Sequence, residues 1–337
     1  MIGLADARVW MTVGLVLVTT ALELQEQRYR QRQVLDPQSD QWVDEAPPVI
    51  EGPGDELGQA RADLAEGQPA KARRLLTRWL KSGGDEERYY EAVFLLGDAY
   101  FELRDFWKAA TQYTTVAENT SGELFQSANQ RCVDVARAFL SGQKRIVWRI
   151  LRLPAYDEGV ELLDRVWERV PGSRLGELAL KLKADFYFNR GDVDLAQDEY
   201  ANLAQQYPSG RYVQFAMLRT AVAAEAAFPG IRFDDRPLIE AEERYRQLQA
   251  TFPGYAEREG VDQRLEGIRQ QRAEKDCDIA RWYERTRQPA AAEFYYRRIL
   301  QDWPGTLAAA EAQSRLRALG VQVEERDTGT EQRQNAE

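Results

Sequence analysis

Any catalysis by this chain would have to proceed without histidine: there is none among 337 residues, against 55 acidic and 45 basic side chains. That removes the commonest general base, the usual Ser/His and Cys/His nucleophile pairs and the commonest metal ligand. Cys132 and Cys277 are the two cysteines. Each falls inside a predicted helix, so they read as buried thiols rather than as a zinc cluster or a disulfide framework. Asp234 and Asp235 form an adjacent carboxylate pair, but sequence neighbours point apart, and such a pair before a helix caps its N-terminus. With no nucleophile–base pair, no glycine loop that cradles phosphate and no metal cluster, the expectation is a chain that is not an enzyme and holds no cofactor or metal. A net charge of −10 argues against a general nucleic-acid binder, which needs a basic surface to displace counterions.

What remains is chemistry of contact. The segment 143–154 carries Arg145, Arg149 and Arg152 beside Trp148. On a helix the three arginines would line one stripe next to Ile146, Ile150 and Leu153. A basic amphipathic segment of this kind either lies on a membrane surface or docks on a partner. The competing reading is a longer helix whose apolar side packs inward while its arginines stay in water; the shortness of the run and the acidic chain around it favour that reading. A second set, Phe94, Asp98 and Phe101 with Leu178, Lys181, Asp185 and Phe188, puts apolar side chains beside charges.

The elements follow from one pattern. In Leu180–Pro208, the residues Leu180, Ala184 and Tyr187 share a helical face, and Ala196, Tyr200 and Leu203 share another. Between them Asn189-Arg190-Gly191-Asp192 breaks the first helix, with Asp192 placed to cap the second, and Pro208 closes it. One hairpin cannot bury such stripes alone, and the pattern recurs. The offsets of Ala196, Tyr200, Leu203 and Pro208 reappear in Ala241, Tyr245, Leu248, Pro253 and in Ala292, Tyr296, Ile299, Pro304. Weaker copies are Gly159, Leu163, Val166, Pro171; Ala109, Tyr113, Val116, Ser121; and Ala72, Leu76, Trp79, Gly84. Twelve positions before the alanine stands a small residue, Ala60, Gly97, Ala184 or Ala280, where two helices can approach closely. Tyr100, Tyr187 and Tyr283 follow that small residue by three and fill the gap beside it.

This arrangement resembles the tetratricopeptide repeat, a helix pair of about 34 residues. The expected fold is therefore all-α: a right-handed solenoid of about six helix hairpins near 55–84, 88–121, 125–171, 174–208, 211–253 and 262–304, with a capping helix at 306–319. The third repeat is lengthened by the segment 143–154, and the fifth by a loop at 228–237. In such a superhelix the first helix of each pair lines the concave surface. Projection from the small residue places Phe94, Asp98 and Phe101 there in the second repeat, and Leu178, Lys181, Asp185 and Phe188 in the fourth. Aromatics beside charges suit an extended or helical peptide, since apolar contact gives affinity and charge gives register. The alternative is that the phenylalanines pack against the adjoining helix.

Outside the repeats, Trp10–Leu22 is an apolar run of 13 residues behind Arg8. It is too short for a membrane span of about 20 residues and suits the core of a secretory signal, with small residues Thr19 and Ala21 before a cleavage point. An uncleaved anchor or a buried helix are the other readings. No cysteine follows the run, as a lipoprotein signal would require. Residues 23–54, rich in Gln, Arg, Asp, Glu and Pro, are expected to form a linker, and 320–337 a disordered polar tail.

Within the repeat class, the C-terminal half is similar to the outer-membrane assembly lipoprotein family BamD, also called YfiO-like or ComL-like. The residues that carry the likeness are Tyr207-Pro208-Ser209-Gly210-Arg211-Tyr212 leading into Ala216-Met217-Leu218-Arg219, and Ala280-Arg281-Trp282-Tyr283-Glu284-Arg285 followed by Ala290-Ala291-Ala292 and Asp302-Trp303-Pro304-Gly305-Thr306. The resemblance covers about Leu178–Leu319 well. It implies a non-catalytic scaffold on the periplasmic face of the outer membrane, with other proteins as partners: components of the barrel-inserting machine or unfolded outer-membrane precursors. The chain departs from the family in lacking the lipid-bearing cysteine, in having six repeats rather than about five, and in the two extra segments. A generic envelope adaptor in a secretion or polysaccharide complex is the alternative.

Overall fold

Alanine, tyrosine and leucine spaced by four and three residues can meet only on a helix, and helices are what the sequence builds. The computed structural model describes residues 33–35, 42–44, 56–83, 86–147 and 151–321, and the chain divides into two compact units at residue 155. The first unit holds a short pair of strands, β1 (Gln33–Leu35) and β2 (Trp42–Asp44), then α1 (Glu56–Ala65), α2 (Pro69–Lys81), α3 (Tyr89–Glu102), α4 (Phe106–Asn119), α5 (Gly122–Leu140) and the strands β3 (Lys144–Val147) and β4 (Leu151–Pro154). The second holds α6 (Tyr156–Arg169), α7 (Arg174–Arg190), α8 (Val193–Gln206), α9 (Val213–Ala226), α10 (Arg236–Thr251), α11 (Pro253–Arg258), α12 (Val261–Arg285), α13 (Pro289–Asp302) and α14 (Leu307–Ala318). In each unit helices consecutive within a hairpin pack together, and first helices of successive pairs also meet, as α1 meets α3 and α12 meets α14. The division falls inside the expected third repeat. The expected leader, most of the linker and residues 322–337 lie outside the described residues.

The repeated seam is the core. Ala72, Ala109, Ala196, Ala241 and Ala292 are fully buried, and so are Tyr113, Tyr200, Tyr245 and Tyr296 behind them. Each buried tyrosine or leucine contributes about 1.5–3 kcal/mol relative to leaving it in water. The small residues Ala60, Ala184 and Ala280 are equally buried. Gly97 shows why smallness is required: a Cβ there would stand 2.7 Å from Tyr113 Cε1.

Turns between the helices of a pair use a left-handed residue, Gly67 and Gly191 in two pairs but Arg104 (φ 60°) and Arg287 (φ 58°) in two others. Caps differ from expectation in detail. Asp105 Oδ1 accepts from Lys108 N, and Ser173 and Thr306 accept from Gly176 N and Ala309 N. Asp192 makes no such bond; its carboxylate pairs with Arg190 Nε at 3.2 Å. Asp235 sits at the N-cap of α10 without capping it, because α12 draws its carboxylate away to Arg272 and Lys275, while Asp234 accepts from Arg236 N.

The helical reading of segment 143–154 is corrected. β3 and β4 pair antiparallel, Arg145 opposite Leu153 and Ile146 opposite Arg152. Arg145 and Arg152 therefore occupy register positions of opposite faces and do not form one stripe. The arginines are spaced by four and three, which is the helical period, but β-branched Ile146 and Val147 favour the strand. Trp148 and Arg149 lie outside the described residues. Within 23–54, the pairing of β1 with β2 is antiparallel.

Candidate protein-binding face

Each buried tyrosine of the seam carries a hydroxyl that needs a partner, and in four pairs it finds a carboxylate on a first helix. Tyr113 donates to Asp98 at 2.7 Å, Tyr200 to Asp185 at 2.5 Å, Tyr245 to Glu225 at 2.7 Å and Tyr296 to Glu284 at 2.8 Å. An arginine from the first helix of the next pair completes the group. Arg131 Nε lies 3.1 Å from Asp98, Arg264 lies 3.2 Å from Glu225, and Arg315 lies 3.6 Å from Glu284. These staples join one pair to the next. A hydrogen bond to a charged group is worth about 1.5–3 kcal/mol. Burial first, and then the carboxylate bond, raise the phenols of Tyr200, Tyr245 and Tyr296 above their ordinary range.

The fourth staple is different. Lys181 Nζ, on α7, takes the second oxygen of Asp185 at 2.5 Å. Arg219, on α9, reaches only the tyrosine oxygen, its Nε donating to Tyr200 at 3.4 Å. Its guanidinium lies 3.8 Å from the ring centre of Phe188 and 5.8 Å from that of Phe215. Among the described residues no carboxylate pairs with it. Lys181 in turn lies 4.9 Å from the ring centre of Phe215 and 5.5 Å from that of Tyr212. The first helices α7 and α9 thus present two cations on two phenylalanine faces with one carboxylate between them. That arrangement suits a ligand bearing a carboxylate next to an apolar group.

The turn that sets α9 beside α7 is built by the Tyr207–Tyr212 motif. Glu177, buried on α7, accepts from Tyr212 N at 2.7 Å, and the Tyr207 hydroxyl accepts from Gly172 N at 3.3 Å. A Cβ at Gly210 would run into Glu177 Oε1 and stand 2.8 Å from Tyr207 Cβ.

Of the residues projected onto a concave surface, Lys181, Asp185 and Phe188 come together here and are half-buried. Two others are corrected: Leu178 is 6% exposed and Asp98 7%, so neither offers its side chain to a partner. Asp98 is covered because Arg131 closes its staple. In the first unit Phe94 packs on Tyr113, ring centres 5.5 Å apart, and Phe101 on Phe106 at 5.2 Å. Phe215 and Arg219 were missed, although a signal existed: Tyr200 precedes Arg219 by 19 residues, as Tyr245 precedes Arg264 and Tyr296 precedes Arg315. Among the described residues no three His, Cys, Asp or Glu gather as a metal site, and no helix is long and apolar enough to cross a membrane.

A family model described as an outer membrane lipoprotein, YfiO, matches residues 163–334, which includes this face and every pair that follows it. The chain belongs to the YfiO family. It is accordingly a tetratricopeptide-repeat scaffold of the cell envelope that binds other proteins. No curated protein matches the chain. Similar solved structures include the C-terminal part of a TPR repeat-containing protein from Cytophaga hutchinsonii, at 12% identity over 76% of this chain and 86% of that one, with a TM-score of 0.38. Another is a tetratricopeptide repeat protein from Parabacteroides merdae, at 9% identity over 77% and 96%, with a TM-score of 0.36. The YfiO match ends beyond α14, so the α7–α9 face and the last pair lie inside the family region.

Proposed function

We propose that the chain is a non-catalytic scaffold on the periplasmic face of the outer membrane that assists assembly of outer-membrane proteins. Its α7–α9 face receives a segment of a barrel-assembly component or of an unfolded outer-membrane precursor. The observation that carries this reading is Arg219, the one staple arginine whose guanidinium stacks on Phe188 without a carboxylate of its own among the described residues. An incoming acidic group completes the pair that Lys181 has pre-empted, and Phe188 and Phe215 supply apolar contact beside it. The segment 143–154, which carries Arg145, Trp148, Arg149 and Arg152 in its sequence, serves as a second contact for a partner or the membrane surface. Crosslinking in the native envelope, followed by identification of the attached proteins, tests the assignment. Barrel-assembly components or precursors attached to wild type and lost with Arg219→Gln support it; secretion or polysaccharide proteins in their place refute it and favour a generic envelope adaptor.

A further inference from the structure

Single exposed apolar side chains are ordinary on a protein surface; what distinguishes the second unit is where they gather. Among its described residues, Leu195, Phe233, Ile239, Trp282 and Phe294 are exposed on or beside the turns that join a first helix to a second, whereas the opposite turns expose Leu307 alone. Contacts link these turns into one edge. Gln197 donates to Glu240 at 2.6 Å, which sets the start of α8 beside the start of α10. Lys275 of α12 donates to Phe233 O and lies 3.5 Å from Asp235, so the loop before α10 rests on the middle of α12. Trp282 follows Lys275 by seven residues, on the same stripe of α12 and roughly 10 Å further along it. From Trp282 an aromatic row continues: Tyr283 meets it edge-on at 4.9 Å, Tyr295 of α13 stacks on Tyr283 at 5.2 Å, and Phe294 lies 5.5 Å from Tyr295.

The stretch from Phe233 to Phe294 also carries cations in excess. Arg232, Arg285 and Arg287 are exposed, and none has an acidic partner among the described residues. The acids nearby are taken: Asp235 by Arg272 and Lys275, Asp234 by Arg236, and Glu293 by Arg297. That leaves Asp278 against three arginines. Arg287 stands in the left-handed conformation that glycine takes in two other pairs, so this turn keeps a cation at a cost in backbone strain.

Turn tips cannot enclose a peptide as facing helices can, but they can enter a surface. At a bilayer, tryptophan and phenylalanine settle at the headgroup boundary and arginine reaches the lipid phosphates. The chain belongs to a family described as outer membrane lipoproteins, which makes a bilayer the surface at hand. We infer that this edge rests on an anionic bilayer, with Phe233, Trp282 and Phe294 at the headgroup boundary and Arg232, Arg285 and Arg287 on lipid phosphates. The contact uses no residue of the α7–α9 face, so vesicles test it without any protein partner.

The test places an environment-sensitive fluorophore on Phe294→Cys or, as a control at an opposite turn, on Leu307→Cys in the full chain, whose Cys132 and Cys277 are buried from the reagent. Vesicles of phosphatidylethanolamine and phosphatidylglycerol are added, and emission is read from the chain that floats with them. The expected result is a blue shift and brightening at 294 and none at 307. The change at 294 should fall about tenfold or more in the Arg232→Gln/Arg285→Gln/Arg287→Gln background, as three charges lose their attraction to an anionic surface. Unchanged circular dichroism confirms that this variant is folded. A chain that does not float, a floating chain with no shift at 294, an equal response at 307, or a response insensitive to the arginine changes would each overturn the assignment.

Discussion

Gly97→Ala should invert its effect according to what stands at position 113. In an open helix interior, alanine is favoured over glycine by about 0.5–1 kcal/mol. At Gly97 the added Cβ would stand 2.7, 2.9 and 3.2 Å from Cε1, Cδ1 and Cζ of Tyr113, against about 3.5–4.0 Å for ordinary carbon contact. The ring has no room to yield. It is fully buried, its hydroxyl is held by Asp98 at 2.7 Å, and Phe94 packs on it. Overpacking costs about 1–3 kcal/mol, so the net effect is a loss of roughly 1–2 kcal/mol. Ala184 and Ala280 occupy the same slot beside Tyr200 and Tyr296, so it is the local ring position that forbids a methyl group at 97. Tyr113→Leu, which imports the residue that the first pair has at Leu76, removes the offending atoms. In that background Gly97→Ala should become stabilising by up to about 1 kcal/mol. Hydrogen exchange of the α3 and α4 amides reads the opening free energy of this hairpin for all four proteins. A Gly97→Ala variant at least as stable as wild type, or a cycle additive within about 0.5 kcal/mol, would refute the close-packing argument.

Alkaline conditions should weaken the second unit through its staples. The phenols of Tyr200, Tyr245 and Tyr296 are raised first by burial and then by their carboxylate bonds, so they lose protons less readily folded than unfolded. Stability should be flat below the unfolded tyrosine value of about 10 and fall as pH rises above it, with a shallower fall in Tyr245→Phe; denaturant titrations from pH 7 to 11 measure this. Cys277, whose thiol burial and the nearby Glu311 charge push up to about 12, should resist a thiol reagent at pH 8 until urea opens the fold. Rapid labelling of native protein would contradict its burial. Arg104→Gly should raise stability by about 0.5–1 kcal/mol, since glycine adopts φ 60° without the Cβ penalty; thermal unfolding checks it.

The repeat was legible because a small residue, an alanine and a tyrosine at constant offsets have one structural use, and the buried seam matches that reading at every strong copy. The staples were half legible. Tyrosine and arginine keep a spacing of 18 or 19 residues, but the acid between them sits 15, 15, 20 and 12 residues before its tyrosine, so no fixed motif announces it. Projection onto a helical wheel failed at Asp98 because it ignores the next pair, whose Arg131 covers that carboxylate. Arg219 could not be singled out from sequence, since its lack of an acid depends on Lys181 reaching Asp185 first. Segment 143–154 misled because its arginines, spaced by four and three, keep the helical period, whereas pairing across the hairpin makes the segment strand.

The most direct measurement is a titration of a fluorescent peptide, an outer-membrane barrel strand bearing a carboxylate beside an apolar residue, into wild type, Arg219→Gln and Phe188→Ala. Binding by wild type is expected, with a loss of about tenfold or more in each variant, as for a charged hot-spot contact, and unchanged helicity. Equal affinity in all three proteins would contradict it.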